Sequence, residues 1–178
     1  MKEKVIDINK VYLFSLPCII IGTPLLIMVY RYFHGTEYRE TLIENPYSLI
    51  SLMFVTFSFI LLHELIHGIC FAVFSKKRFK SIRFGVMWSH LAPYCHCEDA
   101  ITAKQYRIVL LMPTLLLGFL PMLTGLTVGN FIAFFAGVML VWGGVGDITA
   151  YFLTKKVSGD TLIVDHPNKV GFYYNDKI

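Results

Sequence analysis

Five consecutive residues have types and a spacing suited to chemistry: His63-Glu64-Leu65-Ile66-His67. On an α-helix a spacing of four puts both imidazoles on one face, about one turn apart. Two neutral imidazoles so placed can share a zinc ion, with Glu64 beside them to take a proton from zinc-bound water. Zinc is a Lewis acid that brings the pKa of its water toward about 7. Glu64 would then be the general base and pass the proton on to a leaving amine. The setting sharpens this reading, because the five residues interrupt an otherwise apolar segment. An ionisable side chain at a bilayer centre costs about 2.5–3.5 kcal/mol on insertion scales. Metal ligation and burial in a helix bundle offset that cost.

A zinc site of this kind takes a third protein ligand and keeps one open position. Asp147 is the acidic residue that falls inside another apolar segment. His67 precedes Phe74 by seven residues and Asp147 precedes Leu153 by six, each near the same end of its segment. At 1.5 Å per residue both sit about 10 Å below one surface. Gly143, Gly144 and Gly146 are expected to leave room for close helix approach beside it. Competing histidines are less well placed. His34 is expected on the opposite side, His90 and His96 in a central loop, and His166 in a tail turn from which it could fold back over the site. Asp160 and Asp165 read as turn formers.

The elements that must hold these residues are membrane-length. The 178-residue chain is 56% hydrophobic and 16% charged, against about 25% charged in soluble domains. Its mean hydropathy is +0.61. Four segments, about 11–33, 46–74, 108–128 and 131–153, are long enough to cross about 30 Å of hydrocarbon. The expected fold class is an α-helical integral membrane protein, a single domain over 1–178 with a small β-hairpin in the loop 75–106 and a strand-like tail over 154–178. Asn45 and Pro46 mark a helix start. Pro113, Gly118 and Pro121 predict a kinked or broken third helix whose freed carbonyls need partners inside the protein. Gly129-Asn130 predicts a tight hairpin between the third and fourth segments. The N-terminal apolar run is too long for a cleavable signal peptide.

Lys and Arg cluster before the first segment, after the second, before the third and after the fourth. The positive-inside rule therefore puts both termini and the central loop in the cytoplasm. The net charge of +4 is spread over flanks and loops, which speaks against a nucleic-acid surface. Ile82, Phe84, Val86 and Trp88 alternate with other residues and predict a strand. Pro93 interrupts it, and the chain returns over about 94–98. A further hairpin is predicted over about 161–174, with its turn at Asp165-His166-Pro167-Asn168. Cys95-His96-Cys97 lacks paired metal-site spacing and reads as alternating strand residues.

The segment around His63-Glu64-Leu65-Ile66-His67-Gly68 resembles the zinc helix of site-2-protease-type intramembrane metalloproteases. The whole chain is more similar to small bacterial membrane zincin peptidases, through that motif, Gly146-Asp147, and Asp165-His166-Pro167 with Gly171-Phe172. The resemblance implies peptide hydrolysis at a zinc ion held by His63, His67 and Asp147, and a bacterial plasma-membrane location. The chain departs from the site-2 pattern at Ile148, where that family has Gly, and in lacking Pro within the last segment. In this picture an exposed edge of the strand around Ile82–Trp88 would hold an extended substrate.

The function expected is that of a zinc-dependent membrane endopeptidase acting on membrane-associated or membrane-spanning substrates, with the lipid bilayer as surroundings and no nucleic-acid partner. A zinc-binding regulator and a cation or proton transport component are the alternatives.

Overall fold

A computed structural model of the chain describes residues 2–36, 46–88, 92–167 and 169–174. Strand β1 (Lys2–Val5) leads into helix α1 (Ile8–His34), which Asp7 caps by accepting from the Asn9 N–H at 3.0 Å. Helix α2 (Pro46–Phe74) starts at the proline that suits a first helical position. Asn45 and His90 lie outside the described residues. A 3₁₀ turn (Arg78–Ser81) then leads to the hairpin β2 (Ile82–Met87) and β3 (Ala92–Cys97), with Pro93 inside the second strand.

Short strand β4 (Ile101–Thr102) runs directly into helix α3 (Ala103–Pro113), five residues earlier than hydropathy alone predicts. The cause is a capping box: Thr102 Oγ1 accepts from Gln105 N–H, and Gln105 Oε1 accepts from Thr102 N–H at 2.9 Å. This start brings Lys104 and Arg107 onto the helix. Arg107 donates to the carbonyls of Thr154 and Val157, both at 2.7 Å. The proline-rich stretch does not break. It continues as a π-helical turn (Thr114–Phe119) into α4 (Leu120–Val128), one apolar run from Ala103 to Val128.

After a turn at Gly129, whose φ is +75°, Asn130 caps α5 (Phe131–Gly143). The fourth segment is where the break falls. It bends by 46° at Gly144 and resumes as α6 (Val145–Thr154). A Cβ on Gly144 would collide with Thr114, whereas one on Gly143 or Gly146 would meet nothing within 4 Å. Close approach therefore rests on Gly144 alone of the three.

The tail forms β5 (Leu162–Asp165) and β6 (Gly171–Tyr174). They join β1 and β4 in an antiparallel sheet of order β1-β6-β5-β4. Both chain ends and the central segment thus meet at one end of the helices. Phe71, Ile101, Tyr106, Ile163 and Phe172 seal sheet to helices in one buried cluster. At the other end, Tyr30 donates to the Gly129 carbonyl at 2.6 Å and His34 Nε2 contacts the Leu126 carbonyl at 2.5 Å. Among the described residues, three helices are long and apolar enough to cross a membrane, giving four spans if the bent pair α5–α6 counts as one.

Candidate metal centre

His63 and His67 project from α2 with ring centroids 4.9 Å apart, and both are buried. The bend at Gly144 sets Asp147, in the first turn of α6, against them. Its Oδ2 lies 2.9 Å from His63 Nε2 and 3.4 Å from His67 Nε2. The ligand atoms of these three residues all fall within 4.8 Å of one another, and among the described residues they form the one such group.

The donor set fits a metal ion on its own chemistry. His67 Nδ1 lies 3.0 Å from the Val109 carbonyl, an acceptor, so Nδ1 carries the proton. In the neutral ring, Nε2 then turns a lone pair toward the Asp147 carboxylate. A proton or cation must lie between them. Zinc bonds of about 2.0–2.2 Å in a tetrahedral arrangement would put ligand atoms roughly 3.4 Å apart. The Val109 carbonyl is available because Pro113, four residues on, has no N–H to offer it. Such an outer partner fixes both tautomer and ring orientation in a ligand histidine. His63 Nδ1 is buried without a partner among the described residues.

Glu64 sits beside this group and faces the backbone N–H of Cys95 on β3. It lines three cavities, of about 170, 380 and 500 Å³. The first also holds His67 and Asp147, and the third lies between α2 and the β2–β3 hairpin. Gly68 lets that hairpin settle on α2, since a Cβ there would collide with the Phe84 ring.

No other histidine joins the three-residue group among the described residues, although His96 and His166 line the same cavity as His67 and Asp147. His34 is at the far end of the helices. His166 Nε2 is 3.1 Å from Glu3 Oε1, and its Nδ1 accepts from the Lys169 N–H at 3.0 Å, so it fastens β1 to the tail turn. His96 Nδ1 is 2.9 Å from Asp165 Oδ2, and Tyr106 donates to Asp165 Oδ1 at 2.6 Å. Asp165 is thus the end of β5 and the holder of a histidine, rather than a turn former, while exposed Asp160 pairs with Lys104 at 3.0 Å. Cys95 and Cys97 lie on β3 on either side of His96. Burial pushes both thiols up, and the Glu64 and Asp165 carboxylates push Cys95 further. They stay protonated at neutral pH, which disfavours them as ligands.

Val109 and Tyr106 carry no chemical signature of their own in the sequence. Pro113 is the signal that marks Val109.

No curated protein and no solved structure matches this chain. A family model described as "Putative zincin peptidase" matches residues 55–162, which contain His63, His67 and Asp147. With well over half of its length inside that match, the chain belongs to this zincin peptidase family.

Proposed function

We propose that this protein is a zinc-dependent membrane endopeptidase that cleaves membrane-associated or membrane-spanning substrates. The observation that carries the reading is the convergence of Asp147 Oδ2 on the Nε2 atoms of both His63 and His67. Those three residues hold the zinc, which when bound supplies a Lewis acid that makes water nucleophilic near neutral pH. Val109 keeps the His67 ring turned so that Nε2 faces Asp147 Oδ2, where zinc would be held. Glu64 takes the water proton and delivers it to the leaving amine. Its place at the meeting of three cavities gives it access to water and to substrate alike.

The apolar surface supports a bilayer setting. Leu49, Ile50, Met53, Phe54 and Phe57 on α2, and Leu13, Ile20, Ile21 and Leu25 on α1, are exposed. An apolar surface of that extent is what lipid covers. Lys2, Lys4, Lys76, Lys77 and Lys155 belong to the end of the molecule that carries the sheet, so the positive-inside rule makes that end, and the zinc site near it, cytoplasmic. The cavity between α2 and the hairpin, lined by Leu61, Leu65, Phe84 and Val86, offers an apolar segment in the bilayer a route to Glu64.

The test is zinc content and peptide cleavage by the detergent-purified full chain. Glu64→Gln is expected to keep zinc and abolish cleavage, with an uncleaved membrane protein accumulating in cells that carry it. Zinc content and cellular phenotype both untouched by that change would overturn the hydrolase reading.

A further inference from the structure

A second polar cluster shares the cavity of the metal centre. Glu64, His67 and Asp147 line it together with His96, Tyr106 and Asp165. The cluster is assembled from three separate elements: His96 from β3, Tyr106 from α3 and Asp165 from β5. Tyr106 is only 2% exposed, and its hydroxyl donates to Asp165 Oδ1 at 2.6 Å. Asp165 Oδ2 accepts from His96 Nδ1 at 2.9 Å. Two donors on one carboxylate fix the plane in which the imidazole is held. The other ring nitrogen of His96, Nε2, has no hydrogen-bond partner among the described residues. A half-buried carboxylate used by two donors, with an imidazole nitrogen left open toward the cavity, is an arrangement prepared for a ligand. His166, by contrast, engages both nitrogens, with Glu3 and Lys169.

We propose that His96 is a further catalytic residue, donating from Nε2 to the carbonyl oxygen of the scissile peptide, with Asp165 and Tyr106 as its positioning residues. This rests on the peptidase reading above. In the step, the water oxygen bonds to the carbonyl carbon and the C=O π pair moves onto the carbonyl oxygen. One water proton goes to Glu64 and then to the amine nitrogen as the C–N bond breaks. The second leaves from the new carboxyl group. His96 keeps its proton throughout: it donates a hydrogen bond while the oxygen is negative and relaxes when the carbonyl re-forms. With Nδ1–H committed to Asp165, donation from Nε2 needs the doubly protonated ring, whose charge the Asp165 carboxylate offsets. Preorganised donors of this type act where charge develops in the transition state.

The experiment is titration calorimetry of a phosphinic pseudopeptide, whose tetrahedral oxygens imitate the charged oxygen, into the zinc-loaded full chain in micelles. His96→Ala should keep wild-type zinc content and weaken phosphinate binding about 10- to 100-fold. His96→Gln, which retains an N–H donor, should recover part of that loss, and Tyr106→Phe should show a smaller loss at full zinc content. Added imidazole should restore turnover to His96→Ala, which a structural role would not allow. Unchanged phosphinate affinity in His96→Ala at full zinc content would overturn the assignment while leaving the peptidase reading intact. Loss of zinc from His96→Ala would also overturn it, by making His96 part of the metal site or its support. Wild-type protein that holds no zinc, or that holds zinc without binding the phosphinate, would overturn the peptidase reading itself.

Discussion

His67 Nδ1 donates at 3.0 Å to the Val109 carbonyl, the one that Pro113 leaves without a helix donor. A residue usually disruptive in a helix thereby supplies the outer partner of a candidate ligand histidine. Pro113→Ala returns an amide to that carbonyl and draws it back along the helix. Zinc affinity, measured by competition with a chromophoric chelator, is expected to fall by about 10-fold. The fold should be unharmed, since alanine is the better helix former.

Asp147 completes the group that the two histidines begin. Asp147→Ala removes the oxygen that lies within 3.4 Å of both rings. Metal analysis of the purified variant should show zinc occupancy well below the wild type. Glu64→Gln should hold wild-type zinc while cleavage falls by at least about 100-fold.

The bend at Gly144 is the hinge that aims Asp147. Gly144→Val would drive a side chain into Thr114 and should cost about 1–3 kcal/mol in stability. Lower zinc occupancy should accompany that cost, because Asp147 is three residues away. Gly143→Ala, where a Cβ meets nothing within 4 Å, should leave both zinc content and melting temperature near wild type.

Burial raises the Cys95 and Cys97 thiols above their ordinary value of 9.0. The neutral form is therefore the one favoured by folding, and thiolate appears only on the alkaline side of an unfolded cysteine. Iodoacetamide labelling of the folded protein, read by mass spectrometry, should be slower at both sites than in urea at pH 8. The difference should persist as pH rises through 9, where unfolded cysteine ionises while the raised folded thiols stay neutral, and should be largest at Cys95.

Much of the architecture is written locally. The phase that puts His63 and His67 on one face follows from a spacing of four, and the apolar lengths announce the membrane-scale helices. Alternation around Ile82–Met87 announces the hairpin. Where local rules mislead, a neighbour is responsible. Prolines predict a kinked or broken third segment with freed carbonyls; the irregularity takes the form of a π-turn, and His67 partners the freed Val109 carbonyl, without a full break. The break moves to Gly144, where Thr114 from another helix leaves no room for a side chain. Strand β1 has no clear pattern of its own and forms because β6 offers it an edge.

By itself the sequence determined the residue types, their helical phase and the matching distances of His67 and Asp147 from the ends of their apolar segments. Tertiary structure alone decided which groups meet. His67 and Val109 are 42 residues apart, His96 and Asp165 are 69, and His63 and Asp147 are 84. Periodicity is a short-range property of the backbone and carries no information about such pairs. Packing chooses them, because each buried donor or acceptor must find its partner among whatever neighbours the fold supplies.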